Sequence, residues 1–160
     1  MKKIALVFLI SVCMAGTAAA QGGLVSVKSS NSVLVTANRL EKVLKENEIT
    51  VFARIDHAKS AELIGQTLAP TILVIFGSPA MVTPLIQRSR TIGIDLPLKA
   101  LIWEDRAGQV WFTYNTPDYL TRRHGITEME PLVEKMAKAL SDFAAAATQP
   151  GSPFPETIGP

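Results

Sequence analysis

The chain has 160 residues, with 16 Lys and Arg against 14 Asp and Glu, and one cysteine. Lys2, Lys3 and Cys13 all lie in the first twenty residues, which hold no acidic group, so a chain cut after Ala20 carries 14 charges of each sign and no thiol. Such a chain has no electrostatic case for nucleic-acid binding, and it excludes a disulfide, a thiolate metal ligand and a cysteine nucleophile.

The two ends read differently from the middle. Met1-Lys2-Lys3 is a positive start, Ile4 to Ala15 is apolar, and Ala18-Ala19-Ala20 is a small-residue cut site. That is the pattern of an export signal, removed after Ala20. The expected location is therefore periplasmic or secreted, with no membrane attachment after cleavage. Residues 148–160 hold Pro150, Pro153, Pro155 and Pro160 with Gly151 and Gly159. Such a stretch cannot sustain a helix and is expected to be a disordered tail. Residues 21–147 remain as one domain, long enough for a single core.

In chain order, Leu24 to Lys28 alternates weakly and predicts a first strand. Ser29 to Ser32 offers N-caps for a helix, whose face is Val33, Ala37, Leu40 and Leu44. Ile49 to Ile55 predicts a second strand. Asp56 then caps a short helix, His57 to Ile64, which Gly65 stops. Thr71 to Phe76 is an unbroken apolar or β-branched run between Pro70 and Gly77-Ser78-Pro79, and it predicts a central strand buried on both faces.

Ser78 and Pro79 are expected to cap and open a further short helix, Met81 to Gln87, limited by Pro84. Leu98 to Glu104 and Gln109 to Asn115 flank the turn Asp105-Arg106-Ala107-Gly108 and predict an antiparallel hairpin. Trp103 and Trp111 lie on its two strands, one expected in the core and the other as an interface anchor. Asp118 to Arg123 is a short helical turn. Thr127 with Glu130 reads as a capping box for a last helix, with Leu132, Val133, Met136, Ala139, Leu140 and Phe143 on its apolar face. Strands and helices alternate imperfectly and the sheet ends in a hairpin. This favours an α+β fold, a largely antiparallel sheet with helices on one face, over a doubly wound parallel one.

Residues from about 24 to 125 resemble the DUF302 family. The pieces are Ile55-Asp56-His57-Ala58, Leu68-Ala69-Pro70-Thr71 leading to Gly77-Ser78-Pro79, Asp95-Leu96-Pro97-Leu98-Lys99, Trp103-Glu104-Asp105, and Tyr114-Asn115-Thr116-Pro117 with Tyr119-Leu120. The sequence departs from the family pattern at Ser78, where asparagine is usual, and at Val82, where glycine is common. The resemblance implies a TT1751-like fold, a β-α-β4-α arrangement of the TBP-like class, and a homodimer. It implies no activity.

Four residues stand out as candidate ligand-binding positions: Asp56, His57, Ser78 and Asp95. Asp56 and His57 end a strand and open a helix, where backbone N–H groups can meet an anion. The bland reading is a cap and a packed ring. Ser78 follows a buried strand, yet Pro79 has no N–H to give an oxyanion, and the stretch does not fit Gly-x-Ser-x-Gly. Asp95 either caps a turn or shares a pocket with His57.

Metal binding has little support. The histidines are His57 and His124, without a His-x-x-x-His spacing. Met81, Met129 and Met136 are copper-compatible types, but the last two have the spacing of a core. Arg122-Arg123-His124 reads as a solvated helix end.

The expectation is a non-catalytic binding or accessory module, homodimeric, holding a small ligand or a protein partner and using no cofactor. The alternative is an enzyme with His57 as general base, oriented by Asp95 or Asp56.

Overall fold

The structure is a computed structural model that describes residues 22–150. The export signal and most of the expected tail lie outside the described residues. The elements run β1 (Leu24–Ser29), α1 (Val33–Glu46), β2 (Thr50–Asp56), α2 (His57–Glu62), β3 (Thr71–Gly77), α3 (Pro79–Arg88), a 3-10 helix (Arg90–Ile94), β4 (Leu98–Glu104), β5 (Val110–Asn115), α4 (Pro117–Arg123) and α5 (Glu130–Thr148). The strands form one sheet in the order β1-β5-β4-β3-β2, and every pairing is antiparallel. The parallel alternative is therefore excluded, and the α+β reading holds.

Helices α1 and α5 pack on each other and on one face of the sheet. In α1 the buried residues Val33, Ala37, Leu40 and Leu44 recur every three or four positions, with Thr36 buried beside Ala37, which makes one apolar stripe. Its first turn is closed by the Ser32 hydroxyl, which accepts from the Val35 N–H at 3.3 Å. In α5 the stripe is Met136, Leu140, Phe143, Ala144 and Ala147. The strands answer with Ile72, Val74 and Phe76, Ala100 and Ile102, and Val110, Phe112 and Tyr114, all buried. Fully burying a side chain such as Phe112 contributes about 1.5–3 kcal/mol.

The opposite face is different. Register places Leu73, Ile75, Leu101, Trp103 and Trp111 there together, with Ile55 and Ser26 at its flanks. The first five are half-buried rather than buried. So β3 alternates, buried on one side and half-open on the other, and the expectation of burial on both faces is corrected. Its two sides are equally apolar in composition, but α1 and α5 cover only one.

Helix α3 contains Pro84 and ends at Arg88, one residue past the expected Gln87. Three local expectations change. Ser78 occupies the cap position of α3 without a side-chain cap bond, and its carbonyl accepts from Met81 and Val82 instead. The last helix starts at Glu130 behind Met129, so Thr127 caps nothing. Thr148, assigned by sequence to the tail, closes α5: it is buried, and its hydroxyl donates to the Ala144 carbonyl at 2.8 Å.

Candidate functional site

The four candidate residues do not gather. Asp56 is opposite Ile72 at the start of β3, so His57 stands at that end of the sheet. Ser78 follows the other end of β3, and Asp95 precedes Leu98, which faces Phe76. Six steps of about 3.3 Å separate the two ends, roughly 20 Å. His57 and Asp95 therefore share no pocket, and a base at His57 lacks that orienter. Asp56 is not its orienter either: its carboxylate accepts from the Lys59 N–H at 3.0 Å and caps α2. Ser78 lines a cavity of about 20 Å³ with Met81, Val82, Met136 and Phe143. That volume holds about one water-sized sphere. Among the described residues no cluster of three or more His, Cys, Asp or Glu could hold a metal.

Asp95 has a partner that sequence reading missed. Its Oδ2 is 2.6 Å from Nε2 of His124, the residue that ends α4. Nδ1 of the same ring is 2.9 Å from the Thr91 hydroxyl in the 3-10 helix. Thr91 is in turn 3.0 Å from the Ser89 hydroxyl, and Arg123 reaches the other oxygen of Asp95 at 3.5 Å. The His124 and Asp95 side chains are 8% and 16% exposed. His124 is thus not part of a solvated helix end. The pairing spans 29 residues, and no short-range spacing signals it.

The half-open sheet face forms a second assembly. Trp103 and Trp111 are direct cross-strand partners, so neither is in the helix-covered core and the expected division between them is corrected. The Trp103 indole N–H donates to the Thr113 hydroxyl at 3.0 Å, which is 2.9 Å from Ser26 Oγ. The Trp111 indole N–H donates to Asp105 at 2.8 Å. Lys28 sits over the Trp111 ring at 5.5 Å, a cation–π contact. Lys99 donates to the carbonyls of Asp95 and Pro97 at 2.8 and 3.0 Å. Burial lowers its pKa and the Asp95 charge opposes that shift.

The family model described as domain of unknown function DUF302 matches residues 25–144. The chain belongs to the DUF302 family. Its fold is similar to the crystal structure of an uncharacterized conserved DUF302 protein from Bacillus stearothermophilus, with a TM-score of 0.71 and 16% identity over 79% of this chain and 98% of that one. Proteins named "Fluoride-specific ion channel FluC 1" from Brucella suis and Brucella abortus are each 47% identical over 104 residues, or 65% of this chain. The matched region is 41% of the first and 38% of the second. The matched region thus spans less than half the length of those relatives.

Proposed function

We propose that this DUF302 chain is an exported, non-catalytic binding or accessory module that works as a homodimer through the half-open face of its sheet. One observation carries the reading: that face is apolar, and its polar groups are already bonded within the chain. Both indole N–H groups, the Thr113 and Ser26 hydroxyls and both lysines on the face have internal partners. Covering a face usually costs free energy wherever a donor or charge loses water without gaining a partner. Here those partners are in place beforehand. The face therefore suits burial against another apolar surface, and two sheets pack well face to face. With Lys28 and Lys99 turned onto their own chain, a second copy meets little like-charge repulsion.

The partial match to the Brucella proteins supports an accessory role. There a similar region is a minor part of a longer chain whose name is that of a fluoride channel. The scattering of Asp56, His57, Ser78 and Asp95 gives the alternative, a base at His57, no assembled site.

Light scattering on the mature chain tests the reading, with native mass spectrometry for any retained ligand. A dimer is expected, and Leu101→Glu should give a monomer with unchanged circular dichroism. A wild-type monomer at all concentrations would overturn the dimer. A dimer that survives Leu101→Glu would place the interface elsewhere.

A further inference from the structure

We propose that Thr91 is a base-activated hydroxyl that accepts an acyl group from a small carboxylic ester, with His124 as the base and Asp95 as a positioning residue. An ionised carboxylate only accepts hydrogen bonds, so the 2.6 Å contact to Asp95 holds a proton on His124 Nε2. In the neutral imidazole Nδ1 is then the acceptor, and the Thr91 O–H points at it across 2.9 Å. Thr91 Oγ1 is left to accept from Ser89 at 3.0 Å. The chain of donors thus has one direction, from Ser89 through Thr91 to the ring. Carboxylate, imidazole and hydroxyl follow in the order of a hydrolytic triad, with the two ring nitrogens exchanged.

Two further facts favour chemistry over a purely structural tie. The backbone already closes both segments: Asp95 N and Leu96 N donate to the Ile92 carbonyl, and His124 N donates to the Leu120 and Thr121 carbonyls. In addition, the imidazole and carboxylate are shielded while Thr91 is exposed and Ser89 half-buried. Water is kept from the base but the hydroxyl can be reached. In the step, Thr91 Oγ1 bonds to the ester carbonyl carbon as its proton passes to Nδ1. The bond to the alcohol oxygen breaks, and the departing alcohol takes that proton. One acyl group per chain is consumed without turnover, which leaves the module non-catalytic, and the sheet face has no part in it, so the inference stands apart from the homodimer.

The test is incubation of the mature chain with p-nitrophenyl acetate. One equivalent of p-nitrophenolate is expected, with the mass of one acetyl group on the peptide holding Thr91. Thr91→Val should abolish that label. His124→Gln should slow it by roughly 100-fold or more, and should remove the rise in rate with pH that a neutral base gives. If His124→Gln does not fold, Asp95→Asn serves: with the ring no longer oriented, the rate falls and its pH profile moves while Thr91 stays the labelled residue. No label on Thr91 in the wild type, or label on lysines that Thr91→Val leaves unchanged, would overturn the proposal.

Discussion

Trp111 and Asp105 are bound side chain to side chain across the β4–β5 turn, indole N–H to carboxylate, at 2.8 Å. The same carboxylate accepts the backbone N–H groups of Ala107 and Gln109, each at 2.9 Å. The Trp111 bond, followed by that from Gln109, holds the Asp105 pKa below its ordinary value, against an opposing effect of desolvation. A depressed carboxyl pKa stabilises the fold above the unfolded value, about 3.9, and that contribution is lost as pH falls through the folded value. Asp105→Asn should therefore flatten the acid limb of a melting-temperature series below about pH 4 and leave its neutral shape alone. Trp111 fluorescence during acid titration reads the same bond directly.

The two helix caps at the ends of β3 should behave oppositely. Asp56→Ala removes the side-chain bond to Lys59 N and is expected to cost about 1 kcal/mol. Ser78→Ala removes a hydroxyl that makes no cap bond, so its effect should stay within about 0.5 kcal/mol. Urea midpoints of the two variants decide the matter.

Gly23 allows a close approach. Its φ is +88°, and a Cβ there would come within 2.2 Å of Cγ in Tyr119. Its carbonyl also accepts from Thr116 N at 2.7 Å, tying β1 to the start of α4. Gly23→Ala combines a left-handed backbone with a ring collision, and should destabilise by about 1–3 kcal/mol or more. Tyr119→Ala in the same chain should recover part of that loss.

The two faces of the sheet should answer truncation differently. Phe112 is fully buried beneath the helices, and Phe112→Ala is expected to cost about 3–5 kcal/mol at any protein concentration. Leu101 lies on the half-open face. If that face is a dimer interface, the cost of Leu101→Ala should grow with protein concentration, because association then adds to wild-type stability by mass action. Melting curves over a dilution series separate the two.

The strands and helices were legible because each carries its own period. Val33, Ala37, Leu40 and Leu44 mark a helix face without help from elsewhere, and Val110, Phe112 and Tyr114 mark a strand face. What failed was information held between distant segments. Leu73 and Ile75 look like core because they are as apolar as Ile72 and Val74, yet only the packing of α1 and α5 decides which side is covered. Thr127 and Glu130 have the spacing of a capping box, but the chain enters α5 through Met129 and the motif goes unused. From the sequence alone, His57 is the companion expected for Asp95. The histidine that meets Asp95 is His124, brought there by the packing of α4, which no spacing in the sequence announces.

The pairing of β1 with β5 also sets an order of events. Leu24 is opposite Asn115, so the first strand has no strand neighbour until every other strand of the sheet has been made. The hairpin β4–β5 can close early, since its contacts are local. The strand at the front of the chain must wait, and the loop it closes is long and entropically costly. Such a chain is slow to lock itself shut. If the chain is exported as proposed, that delay keeps the polypeptide threadable until its sorting is done.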